Sequence, residues 1–136
     1  MLNIMNIKAI VIGFILTTVI FLSGQVAYVL LASYVGTAAT DNALVGEYKE
    51  VIWFYLSMAV YAVCFLLGGL LTSLLTDVKK IVHAGLVGFL VAGGSVLASA
   101  DLSDLNYKAF ILVAVGLCFA AWGGKIGLAP EETVKH

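Results

Sequence analysis

The sequence predicts an all-α protein, an integral membrane four-helix bundle with both termini on the cytoplasmic side (N-in/C-in). Of its 136 residues, 62% are hydrophobic and only 11% are charged, whereas soluble domains carry about 25% charged residues because their surface faces water. The charged residues are gathered in short groups, and the uncharged runs between them are long enough to cross a bilayer, which takes about 20 helical residues. The lysines are divided unequally between the two sides of the predicted membrane, which indicates the orientation.

Four uncharged runs predict four transmembrane helices. They lie near residues 9–34, 51–76, 81–100 and 109–128. Each run is continuously apolar and does not alternate with a period of two, which favours helices over the strands of a barrel. The first run is longer than the apolar region of a signal peptide, about 7–15 residues, and is interpreted as a retained span. We therefore expect a single transmembrane domain over 1–136, with a short polar cytoplasmic tail at 129–136.

The lysines predict which side of the membrane each loop occupies. Four spans put both termini on one side, and that side carries five lysines against two on the other. The five are Lys8, Lys79, Lys80, Lys125 and Lys135. Because lysine is retained on the cytoplasmic side of multi-pass proteins, we expect cytoplasmic termini, in a bacterial inner membrane, and an acidic exterior loop at 36–50. All seven basic residues are lysine and the net charge is −1, so nucleic acid is not expected as a partner.

Small residues recur along one face of each predicted helix, at about 100° per residue. The faces consist of Ser57, Tyr61, Cys64, Gly68 and Thr72 in the second span, Ala84, Gly88, Ala92, Ser95 and Ser99 in the third, and Ala109, Gly116, Ala120, Gly123 and Gly127 in the fourth. Small side chains let helix backbones approach closely, which favours association in lipid. The pattern predicts that these faces pack against one another in a compact bundle.

Each of the last three spans also contains a glycine pair, 68–69, 93–94 and 123–124. Two adjacent glycines can act as a flexible point beside a narrow passage, or they can allow close packing on two faces at once. We favour packing, because the spans contain no proline and no acidic residue. Gly69, Gly93 and Gly124 are then candidates for a second face that contacts another copy of the chain.

Gln25 is the most polar residue well inside a span. A carboxamide facing lipid is costly, so Gln25 is expected to turn inward and form a hydrogen bond, with Thr18 and Tyr28 within one or two helical turns. It shares a broad arc of the first span with Thr17, Phe21, Gly24, Tyr28 and Ala32. The structural interpretation is a hydrogen bond between helices, and the functional alternative is a group that lines a solute path.

His83 and Lys125 are expected at the cytoplasmic membrane interface. A metal site needs several ligands, and the only other histidine is His136, so neither a metal nor a cofactor is expected. Lys125 is expected to extend its ammonium group to the interface. Cys64 and Cys118 lie on different spans without CxxC spacing and are interpreted as packing residues.

Three functional hypotheses follow, and none of them is enzymatic. No recognisable catalytic motif occurs, and no span carries the acidic residue that ion-coupled transporters usually contain. The first hypothesis is an accessory or assembly subunit of a larger membrane complex, whose partners are the lipid bilayer and other membrane subunits or copies of itself. The alternative is a homo-oligomeric channel or facilitator for a small neutral or weakly charged solute. A third possibility, defence against membrane-active toxins, has no residue pattern of its own.

Overall fold

The computed structural model describes residues 6–99 and 107–128, and all regular structure in these ranges is helical. The helices are α1 (Ile7–Asp41), α2 (Ala43–Glu47), α3 (Lys49–Leu74), α4 (Lys80–Ser99) and α5 (Tyr107–Ile126). Four of them, α1, α3, α4 and α5, are long and apolar enough to cross a membrane. The all-α class and the four long apolar helices predicted from the sequence are confirmed. The predicted tail at 129–136 lies outside the described residues.

The segment predicted as an exterior loop, 36–50, is mostly helical, and that prediction was wrong. The first helix continues to Asp41, and Asn42 interrupts it with an extended backbone. The Asn42 Oδ1 accepts a hydrogen bond from the Leu44 N–H at 3.0 Å and so caps the start of α2. No proline occurs between 35 and 50. The apolar run therefore ends several residues before Asn42 ends the helix.

Helix α1 is much longer than its neighbours. Its 35 residues correspond to roughly 52 Å, against a hydrocarbon core of about 30 Å. Helices α4 and α5 have 20 residues each, which corresponds to roughly 30 Å. The C-terminal end of α1 therefore extends beyond the depth that α4 and α5 can span.

Helix α3 contacts all three other long helices, and α1 and α5 each contact both α3 and α4. The centre of the bundle is filled by large and small apolar side chains. They are Phe21, Phe65, Val87, Val91, Ala92 and Ala120. The outer surface is also apolar: Leu30 is 68% exposed and Phe110 is 69% exposed. This is the distribution of a bundle whose outer surface faces lipid.

The glycine pair of α3 packs on two helices at once. A Cβ on Gly68 would lie against the side chain of Thr17 on α1, and a Cβ on Gly69 would overlap the carbonyl group of Ala120 on α5. Both glycines are buried. Adjacent residues of a helix point about 100° apart, so a single pair allows the backbone of α3 to approach both neighbours.

The glycine pair of α5 is used in the same way. A Cβ on Gly123 would overlap the Leu66 carbonyl oxygen of α3, and a Cβ on Gly124 would lie 2.6 Å from the Ala84 Cβ of α4. Gly69 and Gly124 were expected to form a face for another copy of the chain, and this expectation was wrong. Gly69 is buried against α5 and Gly124 against α4, both within one chain.

The contact between α4 and α5 is also close. A Cβ on Gly88 would overlap the Gly116 carbonyl oxygen and the Ala120 side chain, and a Cβ on Gly116 would lie 2.6 Å from the Ala92 Cβ. Gly88 and Gly116 thus face each other, and any larger side chain would separate the two backbones.

Candidate functional site

A groove between α1 and α4 contains the most polar residue of the membrane-spanning region. Its volume is about 470 Å³. It is lined by Phe14, Thr18, Phe21, Leu22 and Gln25 of α1 and by Leu90, Val91, Gly94, Ser95 and Ala98 of α4. The walls are mainly apolar, and none of the ten lining residues is charged. The groove opens on the outer surface of the bundle, where a membrane would place lipid or another helix.

Gln25 is half-buried in this groove, and within residues 6–99 and 107–128 its carboxamide has no hydrogen-bond partner. The hydrogen bond expected for Gln25 is therefore not formed among the described residues, and neither Thr18 nor Tyr28 provides it. The Thr18 hydroxyl donates instead to the Phe14 carbonyl oxygen at 2.7 Å. The Tyr28 ring packs on Tyr61, with 6.5 Å between ring centroids.

Most residues of α4 that line the groove are apolar. Leu90, Val91 and Gly94 offer no side-chain polar atom, and the Ser95 hydroxyl donates to the Ala92 carbonyl oxygen of its own helix at 2.8 Å. A carboxamide that faces hydrocarbon without a partner costs several kcal/mol on transfer scales. The groove therefore holds a group with an unused donor and an unused acceptor in the apolar part of the protein.

The third glycine pair, Gly93 and Gly94, differs from the other two because it is uncovered. No heavy atom of the described residues lies within 4 Å of a Cβ placed on either glycine. Gly94 belongs to the groove of Gln25, and both glycines line a second depression of about 380 Å³ that reaches Val113 of α5. The backbone of α4 is thus accessible to a further helix at the level of Gln25.

Among the predicted site residues, Tyr28 and Tyr61 pack against each other, whereas Ser57 is bonded within its own helix. The Tyr61 ring lies 5.1 Å from the Phe21 ring, centroid to centroid, in the contact between α1 and α3. The Ser57 hydroxyl donates to the Phe54 carbonyl oxygen at 2.8 Å, within its own helix. The aromatic cluster is therefore a packing contact, and it does not extend the polar part of the groove.

His83 connects the start of α4 to the start of α1. It is 1% exposed, its Nε2 accepts a hydrogen bond from the Asn6 backbone N–H at 3.0 Å, and its Nδ1 lies 3.1 Å from the Lys79 carbonyl oxygen. These partners require a neutral imidazole with the proton on Nδ1. Sequence reasoning placed His83 at the interface but missed this contact, because Asn6 is 77 residues away.

The sequence offers one local signal for this end of the bundle, which is the helix-capping side chain of Asn6. Its Oδ1 accepts from the Ala9 N–H at 3.2 Å and so caps the start of α1, as asparagine often does. The cap leaves the Asn6 backbone N–H free to reach His83. A single residue thereby fixes both where α1 begins and how α1 meets α4.

The remaining candidates lie apart from the groove. Lys125 is exposed in the last turn of α5. Cys64 is buried, Cys118 is exposed, and both thiols are free; a Cβ on Gly24 would overlap the Cys64 Sγ. Among the described residues no three His, Cys, Asp or Glu side chains are grouped as a metal site requires.

Comparisons of the chain with protein families, with curated proteins and with solved structures find no match.

Proposed function

We propose that this chain is an accessory or assembly subunit of a larger membrane complex and that it acts through helix–helix packing. The observation that carries the proposal is the groove between α1 and α4, where an unpartnered carboxamide lies next to an uncovered glycine of α4. In lipid, apolar burial does not drive helices together, and small residues and hydrogen-bonding side chains do so instead. Gln25 and Gly94 provide both within one groove.

The other glycine contacts support this role. The bundle uses four other glycines for close contacts between its own helices. They are Gly68, Gly69, Gly88 and Gly116. The groove is not needed for that packing, since Gly93 and Gly94 make no comparable contact among the described residues. A small-residue surface beyond what the bundle uses is what a subunit that docks on another membrane helix requires.

The proposed location is a bacterial inner membrane, with both termini in the cytoplasm. The support is the division of lysines, five on the side of the termini against two on the other, because lysine is retained on the cytoplasmic side. In this orientation His83 and Lys125 lie toward the cytoplasm and Asn42 lies on the exterior side.

The test of the role is native mass spectrometry of the complex after gentle extraction from its own membrane. Different subunits that accompany the chain in a fixed ratio are the expected result. The Gln25→Leu variant should lower the number of subunits in the complex, and Ser23→Ala should leave it unchanged, because the Ser23 hydroxyl is already bonded to the Val19 carbonyl oxygen at 2.9 Å. A chain that is extracted without any other subunit would refute the accessory role.

A homo-oligomeric channel or facilitator for a small neutral or weakly charged solute is the second candidate. It is favoured by one observation: Thr18, Gln25 and Ser95 line the same groove. Phe21 and Phe65 fill the centre of the bundle, so a passage would have to form between copies. Under this hypothesis Gln25→Leu changes the flux of a solute such as urea or glycerol into reconstituted vesicles, while the size of the oligomer stays the same. An unchanged flux would show that Gln25 does not line a solute path.

A further inference from the structure

We infer that the occupant of the groove between α1 and α4 is a second copy of this chain, and that the two Gln25 carboxamides bind each other across a two-fold axis. The inference rests on the proposed packing role and names the partner at that same site. It follows from three properties of the groove: the chemistry of its polar group, its steric opening and its lack of charge.

The chemistry of Gln25 is self-complementary. A carboxamide contains an N–H donor and a carbonyl acceptor, and two of them facing each other satisfy both with a reciprocal pair of hydrogen bonds. Copies of one protein enter a membrane in the same orientation, so the Gln25 side chains of two copies lie at the same depth in the bilayer. A different protein would need a donor and an acceptor at the matching depth of one of its own helices.

The shape of the surface allows this approach. The outer side of α1 is exposed around Gln25, with Leu22 at 54%, Val26 at 63% and Val29 at 59%, and these residues line a concave surface next to the groove. In a two-fold arrangement α1 of each copy enters the groove of the other. The uncovered Gly94 leaves room for its backbone. Such a reciprocal contact closes on itself and yields a dimer.

The absence of charge favours the same partner. None of the residues that line the groove or the concave surface beside it is Asp, Glu, Lys, Arg or His. A partner with an intramembrane charge would find no counter-ion there, at a high cost in lipid. A second copy presents the same uncharged surface and leaves no ionised group unpaired.

The first experiment measures association in vesicles of phosphatidylethanolamine and phosphatidylglycerol. Energy transfer between donor- and acceptor-labelled copies, followed as the protein is diluted with lipid, gives the dimer fraction. Gln25→Leu should weaken dimerisation about tenfold, the size expected for two hydrogen bonds between helices. Ser23→Ala, on the same helix, should not change it, because the Ser23 hydroxyl is bonded within α1.

Two further variants separate loss of docking from loss of the fold. Gly94→Leu fills the open space of the groove and should weaken dimerisation while the circular dichroism and thermal unfolding of the monomer stay as in the wild type. Gln25→Asn keeps the carboxamide and should retain more dimer than Gln25→Leu. If Gly94→Leu left dimerisation unchanged, or if Gln25→Asn and Gln25→Leu were equally defective, the inference would be overturned.

Disulfide formation in native membranes gives an independent measurement. In a Cys118→Ala background, Leu22→Cys lies next to Gln25 and should form an oxidised dimer. Val63→Cys is the matched control: it is 57% exposed on α3 at the depth of Gly24, which contacts the adjacent Cys64. It should remain monomeric. Equal cross-linking of the two variants would indicate random collision and refute the two-fold contact.

The outcomes distinguish this inference from the proposed function. A monomer in vesicles that still binds a foreign subunit through Gln25 in the native membrane would overturn the self-association and leave the accessory role in place. A Gln25-dependent dimer that is extracted from the native membrane without other subunits would support the inference and overturn the accessory role.

Discussion

At the scale of single residues, the buried polar groups determine how the ends of the helices meet. His83 uses both ring nitrogens, and its partners come from two elements, Asn6 before α1 and Lys79 before α4. Lys79 has a φ of 47°, which is uncommon for a residue with a Cβ. Its carbonyl oxygen also accepts the backbone N–H groups of Val82 and His83. Several hydrogen bonds of the turn before α4 thus converge on one acceptor, the Lys79 carbonyl oxygen. This turn lies next to the start of α1.

Replacing His83 by phenylalanine should release the start of α1. His83→Phe keeps an aromatic ring but removes the acceptor of the Asn6 N–H, and the loss of one hydrogen bond costs about 0.5–1.5 kcal/mol. The Lys79 carbonyl oxygen still accepts two backbone N–H groups. The group left without its partner is therefore the Asn6 N–H. Hydrogen exchange in detergent micelles should show a faster Asn6 amide. His83→Gln, which retains an acceptor, serves as the control, and unchanged protection of Asn6 in His83→Phe would contradict the contact.

Thr17 is a second buried polar residue, and its hydroxyl has no hydrogen-bond partner in the described part of the chain. It lies against Gly68 in the contact between α1 and α3. Thr17→Val keeps the branched shape and removes the unsatisfied group, so the free energy of unfolding should rise by about 1 kcal/mol. Denaturation in mixed micelles measures the change. The control is Thr18→Val, whose hydroxyl is bonded to Phe14, and a Thr17→Val variant less stable than the wild type would contradict this assignment.

At the scale of elements, α4 has two small-residue surfaces with different roles. Gly88 is covered by Gly116 and Ala120 of α5, whereas in the described part of the chain nothing lies within 4 Å of a Cβ placed on Gly93 or Gly94. All three glycines lie in one apolar helix with no acidic residue. The difference arises from the position of α5, which crosses α4 near Gly88 and leaves the other two glycines uncovered.

A leucine should therefore lower the stability at one position of α4 and leave it nearly unchanged at another. Gly88→Leu drives a side chain into the α5 backbone, and overpacking of this kind costs about 1–3 kcal/mol or more; thermal unfolding should occur at a lower temperature. Gly93→Leu, the matched control, has open space and should change the stability of the monomer by less than about 0.5 kcal/mol. Equal stability of the two variants would show that α4 and α5 do not pack at Gly88.

At the scale of the whole molecule, the four long helices connect so that the start of α1 and the end of α5 lie at the same end of the bundle, where Gly13 meets Thr72 and Gly127 meets Ser73. Helices α1 and α3 are joined by the short α2, which carries Glu47, and α3 and α4 are joined by the turn at 75–79. The length of α1, roughly 52 Å by its residue count, puts Asp41 and α2 beyond a hydrocarbon core of about 30 Å. The two ends of the bundle are thus unequal, with a projecting helical end opposite the His83 contact.

The proposed orientation predicts which end is accessible from outside the cell. In a Cys118→Ala background, Glu47→Cys on α2 should react with a membrane-impermeant maleimide in intact cells. Lys80→Cys at the start of α4 should react only after the membrane is opened. Cys64 is buried and should remain unlabelled in both. The reverse pattern would put the termini outside and contradict the orientation that the lysines predict.

The sequence by itself determined the fold class and the number of long helices. Hydropathy is a property of consecutive residues, and each helix in lipid must satisfy its own backbone hydrogen bonds. An uncharged run of about 20 residues therefore specifies a spanning helix before any partner is considered. Within the described residues, the predicted uncharged runs coincide with α1, α3, α4 and α5, whereas the segment 36–50, predicted as a loop, is mostly helical.

The tertiary structure alone decided which surface of each helix is occupied. Gly69 and Gly93 have the same sequence signature, yet Gly69 is buried against α5 and Gly93 is open. Likewise, Gln25 was expected to find a partner and instead lines a groove, while His83 meets a residue 77 positions away. The physical reason is that small-residue periodicity allows close contact in lipid without specifying the partner helix. Only the relative placement of the helices decides whether a given glycine or carboxamide is covered.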